Sequence, residues 1–114
     1  MAKIVRKING DFYSILNTVV QGIQESSMSV TLEEMSDFSE NGAKCSVRVF
    51  ERYSYMGGNR VSMSITLFQS GNGPVNLCAV TSGGSQAVFF KINTIGEEAF
   101  LDKLAEILNR EYPQ

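Results

Sequence analysis

Apolar and polar residues follow two different periods along this chain, and the changes of period divide it into elements. Between residues 12 and 24, apolar side chains recur every three or four positions, as they do on one face of a helix. From residue 28 to residue 92 the period is mostly two, which is typical of strands with one buried side. After Thr94 the spacing of three and four returns and predicts a second helix. A weaker alternation over residues 3–8 predicts a short strand ahead of the first helix.

The first helix is predicted over residues 12–24, where the apolar side chains form a single stripe. Asn9 or Asp11 can accept a hydrogen bond from the free N–H groups of its first turn. Gly22 and the serine pair at 26–27 weaken its last turn. The stripe consists of Phe12, Ile15, Leu16, Val19, Val20 and Ile23.

The closing helix is predicted to begin near Thr94. Thr94 and Glu97 have the spacing of a capping box, in which each side chain bonds to a free N–H at the other position. Glu97 and Glu98 also suit the positive end of the helix dipole. The predicted buried stripe of this helix is Phe100, Leu101, Leu104, Ile107 and Leu108.

Turn signals separate the strands that lie between the two helices. Asn41 and Gly42 are typical of a tight hairpin turn because both residue types tolerate positive φ, and glycine-rich segments near residues 58, 72 and 84 mark three more turns. Such spacing favours sequential hairpins over parallel crossovers, which need about a dozen connecting residues or more. The segment AVFFKI at 87–92 is predicted to be the last strand.

These elements predict one α+β domain over residues 1–114. Its order is strand, helix, four to five antiparallel strands and helix, with one curved antiparallel meander sheet and both helices packed on one face. The chain has 114 residues, of which 43% are apolar, so we expect an ordinary core without metal or disulfide support.

Strand parity assigns the side chains to the two faces of this sheet. The face away from the helices mixes aromatic, hydroxyl and cationic side chains, which suits a contact with another molecule. The alternative is that its aromatic side chains lie near strand ends or under loops and are simply covered. The face toward the helices is predicted to hold Val47, Val49, Met63, Ile65, Leu67, Leu77, Val88, Phe90 and Ile92.

We therefore predict an interaction face on the side away from the helices. A solvated face would not need three phenylalanines, and a second core would not hold two arginines. Self-association through this face is favoured over a small-molecule pocket. The predicted interaction face consists of Arg48, Phe50, Arg52, Ser64, Thr66, Phe68, Phe89 and Lys91.

A second candidate site lies at a hairpin tip rich in tyrosine and arginine, which are frequent at binding hot spots and also form ordinary cross-strand pairs. By parity Glu51 faces the helices, where a carboxylate needs a partner or a raised pKa, as catalytic acids often have. The alternative, which we favour, is that the strand has run past the helices by residue 51 or carries a bulge that reverses its register. The tip site consists of Glu51, Tyr53, Tyr55, Asn59 and Arg60.

The charge and the lack of histidine argue against several classes of function. The formal net charge is -2, whereas nucleic-acid binders usually carry a basic excess. Histidine is absent, which removes the commonest general base and the usual zinc ligand. We expect no nucleic-acid partner, no cofactor and no metal, and the sequence leans against an enzyme.

Two further motifs have ordinary explanations. The glycine-rich segments SGNGPVN and TSGGSQ lead into strands, whereas a phosphate-binding loop opens a helix, so both are predicted to be turns. The acidic stretch at Glu33, Glu34, Asp37 and Glu40 fits a solvated hairpin end better than a hard-cation site.

No segment predicts export or membrane insertion. No apolar run approaches the ~18 residues of a membrane span, and the basic N-terminal segment lacks the apolar region of a secretion signal. Cys45 and Cys78 are far apart and have no metal or redox spacing, so they are predicted to be reduced thiols in strands. We expect no membrane partner and a cytoplasmic location.

The segments RVFERYSYMGGNRVSMSITLF and TSGGSQAVFFKINTIGEEAFLDKL resemble a small bacterial family of domains of unknown function. The resemblance extends over nearly the whole chain and implies no activity or catalytic residue. The order of elements is also similar to TATA-binding-protein-like and helix-grip folds, in which a curved antiparallel sheet wraps a helix. This similarity of topology implies no function.

Three functional hypotheses follow. The first is a non-enzymatic binding or assembly module that self-associates, or binds another protein, through the predicted interaction face. The second is a carrier or sensor of a small apolar ligand held between the sheet and the C-terminal helix. The third is an enzyme that uses carboxylates and tyrosines, with Glu51, Tyr53 and Tyr55 as its first candidates.

Overall fold

The computed structural model describes residues 1–53, 60–83 and 90–114, with the side chains of 90–95 left aside. It contains a five-stranded antiparallel sheet and two helices that pack against it, so the predicted α+β class is confirmed. The sheet has the order β1-β5-β4-β3-β2. The elements are β1 (Ala2–Ile8), α1 (Phe12–Glu25), β2 (Thr31–Glu40), β3 (Ala43–Tyr53), β4 (Arg60–Ser70), β5 (Val75–Gly83) and α2 (Phe90–Glu111).

Strand β1 pairs antiparallel with β5, so it forms one edge of the sheet beside the meander from β2 to β5. Since β1 and β2 are the two edges, α1 must carry the chain from one edge of the sheet to the other. Its 14 residues span about 21 Å, close to the width of five strands spaced by about 4.8 Å. The length of α1 therefore matches the sheet that it crosses.

Helix α1 begins and packs as its sequence predicts. The Ser14 N–H donates to Oδ2 of the N-cap residue Asp11 at 2.9 Å. This hydrogen bond is the main cause that lowers the pKa of the Asp11 carboxyl. The predicted stripe is confirmed, with Val20 half-buried and the others at most 4% exposed: Phe12, Ile15, Leu16, Val19 and Ile23.

The turn between β2 and β3 is the predicted Asn-Gly turn. Asn41 has φ 50° and Gly42 has φ 81°, as a hairpin turn with two left-handed residues requires. The Gly71 N–H of the neighbouring hairpin donates to the Gly42 carbonyl at 3.0 Å. The two hairpin turns therefore lie side by side at one end of the sheet.

The core lies between the two helices and one face of the sheet. Each aliphatic or aromatic side chain buried there contributes roughly 1.5–3 kcal/mol. The predicted core residues of β4 and β5 (Met63, Ile65, Leu67 and Leu77) are at most 1% exposed, and all five predicted core residues of α2 are buried. The core of β4, β5, α1 and α2 is thus confirmed.

The prediction of a last strand over 87–92 is wrong where the structure describes it. Residues 90–92 lie in α2, and residues 87–89 lie outside the described residues. The reason is strand pairing: β5 already has β4 on one side and β1 on the other, so a following strand has no place beside it. Thr94 and Glu97 consequently lie inside α2 rather than at its start.

The predicted faces of β3 are reversed. Phe50 pairs with Met63 and Arg48 pairs with Ile65, and directly paired residues point to the same side of a sheet. Phe50 is fully buried, whereas Val47 and Val49 point away from the helices. A shift of one residue in register moves every side chain of a strand to the other face, and this register buries the larger phenylalanine.

Candidate interaction surface

The side of the sheet away from the helices, called the open face below, is not covered by any element of the described residues. The pairing register places one set of side chains from all five strands on it. Its members are Lys3, Val5 and Lys7 of β1, Asn76, Cys78, Val80 and Ser82 of β5, Arg60, Ser62, Ser64, Thr66, Phe68 and Ser70 of β4, Ala43, Cys45, Val47, Val49, Glu51 and Tyr53 of β3, and Thr31, Glu34, Ser36, Phe38 and Glu40 of β2.

The centre of the open face combines valines of β3 and β5 with the hydroxyl side chains of the middle strand β4. Val47, Val49 and Val80 are half-buried among their strand neighbours, with no helix above them. Toward the end with the two hairpin turns, Phe38 is 62% exposed and Phe68 is 42% exposed. A cleft of about 290 Å³ includes both phenylalanines and Cys45, which lie in one row across the sheet.

The two margins of the open face carry opposite charges. Lys3 and Lys7 on the edge strand β1 are exposed. Glu34 and Glu40 on the opposite edge strand β2 are exposed as well. The face is therefore basic along one edge and acidic along the other.

The end of the open face opposite the two hairpin turns is polar. A guanidinium N–H of Arg60 donates to Glu51 Oε1 at 2.8 Å, and this hydrogen bond raises the pKa of Arg60 above its usual range. The hydroxyls of Ser62 and Ser82 lie 3.0 Å apart. A cleft of about 450 Å³ opens between these groups.

The predicted tip site is only partly assembled. Glu51 and Arg60 form the ion pair just described, and Tyr53 is 50% exposed at the end of β3. The expectation that Glu51 faces the helices is wrong, because the reversed parity of β3 turns it to the open face opposite Ser62. Tyr55 and Asn59 lie outside the described residues.

The predicted interaction face is divided by the same reversal. Its β4 residues Ser64, Thr66 and Phe68 lie on the open face. Phe89 lies outside the described residues, and Lys91 lies in α2 rather than in a strand. The prediction of an outward position is wrong for the three β3 residues, which point to the helix side: Arg48, Phe50 and Arg52.

The two misassigned arginines have partners on the helix side. Arg48 is 8% exposed and forms hydrogen bonds of 2.9 and 3.3 Å to the two carboxylate oxygens of Asp37. The Ser46 hydroxyl donates to Asp37 at 2.6 Å, and the hydrogen bonds from Arg48 and then Ser46 lower the pKa of the Asp37 carboxyl. The guanidinium carbon of Arg52 lies 4.9 Å from the ring centroid of Phe100.

Sequence reasoning missed most of the apolar residues of the open face. Val47 and Val49 have the right alternation and were assigned to the core, while Phe38 lies inside the acidic stretch. That stretch is the exposed arm of the β2–β3 hairpin, and it forms part of the ten-residue edge strand β2, which has a bulge between Leu32 and Glu34. The alternation of Phe38 with Asp37 is the signal that identifies β2 as a strand with two faces.

The acidic stretch forms no metal site within the part of the chain that the structure describes. Among the described residues, no group of three acidic, cysteine or histidine side chains could hold a metal ion. A cleft of about 750 Å³ between β1 and the end of α2 is lined mainly by polar groups, including Arg6, Asn109 and Gln114. Phe100, Leu104 and Leu108 of α2 are at most 2% exposed, so this stretch of α2 is packed tightly against the core.

Neither helix, within the described residues, is long and apolar enough to cross a membrane.

The sequence of the chain matches a family model, described as a family of unknown function (DUF6054), over residues 1–112. The chain belongs to this family. The predicted membership of a family of unknown function is thereby confirmed, while the bacterial origin and the TATA-binding-protein-like or helix-grip topology stay predictions. No curated protein matches this DUF6054 chain.

Proposed function

We propose that this DUF6054 protein is a non-enzymatic assembly module that associates with a second copy of itself through the open face. The observation that carries the proposal is the position of both helices on one side of the sheet, which leaves the outward valines of β3 and β5 and two exposed phenylalanines without a covering element among the described residues. A sheet face that stays in water usually presents polar side chains in alternation with the buried ones. Here Val47, Val49 and Val80 take those outward positions.

The size of the open face suits a stable contact. Five strands spaced by about 4.8 Å, with about eight paired residues each at about 3.4 Å, form a surface on the order of 600 Å² before side-chain relief is counted. A standard protein interface buries about 800 Å² on each partner. Packing of two such faces would bury about 1,200 Å² in total, which is at the lower end of the range of about 1,200–2,000 Å² for specific interfaces.

The charges of the open face favour a second copy over an unrelated partner. A partner of one charge would meet repulsion at one of the two edges, since β1 contributes lysines and β2 contributes glutamates. A second copy carries both signs on the same surface and can match them. Charge complementarity of this kind contributes specificity to an interface.

The proposal includes the cytoplasmic location expected from the sequence. Cys45 and Cys78 are free thiols on the open face. Free thiols on a contact surface suit a reducing compartment, where they do not oxidise to intermolecular disulfides. The ligand-carrier and enzyme hypotheses stay predictions, and the packing of α2 and the ion pair of Glu51 lend them no support.

The test is the substitution Phe68→Glu. Phe68 is 42% exposed on the central strand. A carboxylate at this position is hydrated in the monomer but would be desolvated in the dimer, which makes the dimer less stable. We expect the unmodified protein to be a dimer and the variant a folded monomer, by native mass spectrometry and circular dichroism. Met28→Glu is the matched control, because Met28 is fully exposed outside the helices and strands and the change in charge is the same.

Alkylation of the thiols provides a second readout on the same samples. Cys45 and Cys78 both lie on the open face, so the dimer should protect both from a thiol reagent, and Phe68→Glu should expose both. Equal alkylation rates in the two proteins would contradict the proposal. So would an unmodified protein that stays monomeric over a 100-fold range of concentrations ending at its solubility limit. An unchanged dimer in Phe68→Glu would show that another surface makes the contact.

A further inference from the structure

We infer that the two copies pack face to face around a two-fold axis that runs parallel to the strands, so that β1 of one copy lies over β2 of the other. The inference rests on the proposed function and specifies the geometry of the same interface. It follows from the order of the strands and from the sign of the charge on each edge.

The sheet has β4 as its middle strand, with β1 and β2 as its outer strands. Two sheets that pack face to face lie about 10 Å apart with their strands roughly aligned. A two-fold axis parallel to the strands exchanges left and right, so it places β1 over β2 and β4 over β4. An axis across the strands instead places β1 over β1 and β2 over β2.

The charges distinguish these two arrangements. With the axis across the strands, the lysines of β1 meet lysines and the glutamates of β2 meet glutamates. With the axis along the strands, each basic edge meets an acidic edge, twice in every dimer. Like charges placed opposite each other across an interface are unfavourable, so the second arrangement is preferred.

The pairing register makes the match specific to one row of side chains. Lys3 pairs with Val80, Val80 with Ser64, Ser64 with Val49, and Val49 with Glu34. Lys3 and Glu34 are therefore the two ends of a single row across the open face. An axis along the strands keeps each row over itself, which places Lys3 of one copy near Glu34 of the other.

The same axis also accounts for the aromatic end of the face. Phe68 lies on β4, the strand nearest the axis, so the Phe68 rings of the two copies approach each other. Aromatic pairs favour such contacts. In a dimer of this geometry, Phe68→Glu places two carboxylates next to each other near the axis. Substitutions of Lys3 or Glu34 change the charge only at the two edges of the interface.

The experiment reverses the edge charges one at a time and then together. Lys3→Glu and Glu34→Lys should each raise the dimer dissociation constant about tenfold at low salt, because each turns two attractions into two repulsions. The double variant Lys3→Glu/Glu34→Lys should recover the original constant to within about threefold. Analytical ultracentrifugation over a range of concentrations measures all three.

Matched controls carry the same changes of net charge on the helix side of the molecule. Arg110→Glu and Glu106→Lys are exposed positions of α2 and should leave the dissociation constant unchanged. Raising the salt concentration should reduce the effect of the single edge variants, since exposed charges are screened.

The outcomes separate the inference from the proposed function. If Phe68→Glu dissociates the dimer while the edge variants behave like their controls, the open face is the interface and the orientation is wrong. If single edge variants weaken the dimer but the double variant does not recover it, the pairing of Lys3 with Glu34 is overturned. If Phe68→Glu leaves the dimer intact, the proposed function fails before the orientation is considered.

Discussion

Arg48 lies on the helix side of the sheet although its neighbours Val47 and Val49 point to the open face. Strand parity alone is symmetric between the two faces, so it groups residues 47 and 49 correctly but does not say which group is buried. The decision rests on the pairing of β3 with β4, which brings Phe50 beside Met63. That is a contact between strands and leaves no local mark in the sequence.

The burial of Arg48 depends on Asp37, which lies across the β2–β3 hairpin. A cation that is 8% exposed is costly without a partner, and Asp37 supplies two acceptor oxygens while being itself half-exposed. A sequence pattern of single residues does not reveal this pair. It became visible only with the register of β2 against β3.

We predict that Asp37→Asn destabilises the protein by about 1 kcal/mol at neutral pH, because the remaining amide oxygen replaces only one of the two acceptors of Arg48 and the half-exposed site is screened by water. The native pKa of Asp37 is lowered, so its contribution is complete above the ordinary value of 3.8 and is lost as the pH falls through the native pKa. The stability difference between the unmodified protein and the variant should therefore shrink below pH 3.8 in urea denaturation.

Asp102→Asn, at an exposed position of α2, is the control for this pH dependence. This variant removes a carboxylate that is not the partner of Arg48, so it shows how much of the effect comes from the loss of one negative charge alone. A constant difference for Asp37→Asn from neutral to acid pH would mean that the carboxylate charge is not what stabilises Arg48.

At the scale of elements, local sequence patterns predicted those helices and turns whose formation depends mainly on neighbouring residues. The apolar stripe and the Asp11 cap predicted α1, and the Asn41–Gly42 turn predicted the first hairpin. The segment at 87–92 could not be assigned in this way, because a short apolar run fits both a strand and a buried helix. Whether β5 had a free edge for it depended on β1, about 80 residues earlier in the chain.

Gly22 shows a second contact between elements that the sequence did not reveal. It lies in the last turn of α1, and a Cβ built on it would lie 2.6 Å from Cδ1 and 3.0 Å from Cγ1 of Ile107 in α2. Such distances are far inside van der Waals contact. The glycine therefore allows the two helices to pack closely.

We predict that Gly22→Ala destabilises the protein by about 1 kcal/mol, since the cost of overpacking against Ile107, about 1–3 kcal/mol, exceeds the helix-propensity gain of about 1 kcal/mol. In the background Ile107→Val, which lacks the nearest methyl group, the same substitution should be less destabilising or neutral. Chemical denaturation of the four proteins in a double-mutant cycle measures the coupling.

An additive cycle would mean that Ile107 moves aside without cost, and that Gly22 is not needed for the packing of α1 on α2. A stabilising Gly22→Ala in the original background would lead to the same conclusion, because helix propensity alone would then explain the result.

At the scale of the whole molecule, the idea of an interaction face was accessible from the sequence, but only part of its membership was. Ser64, Thr66 and Phe68 were placed correctly because β4 has the clearest alternation of the chain. The β3 residues were exchanged for their neighbours, and the opposite charges of the two edges could not be recognised before β1 was known to be an edge strand. Surfaces built from several strands depend on the order of those strands.

A dimer that forms through the open face couples the folding of each copy to its association. We predict that the thermal midpoint of the unmodified protein rises by about 3 °C for each tenfold increase in protein concentration, because association favours the folded state by mass action and a chain of this size has an unfolding enthalpy of about 70 kcal/mol. Differential scanning calorimetry over two decades of concentration measures this slope. Phe68→Glu should have a midpoint that does not depend on concentration, and Met28→Glu should keep the original slope.

Because Phe68→Glu loses only the contribution of association, its midpoint should match that of the unmodified protein extrapolated to the dilution at which the dimer has dissociated. A variant midpoint far below that extrapolation would mean that Phe68 supports the fold of the single chain rather than the contact between two.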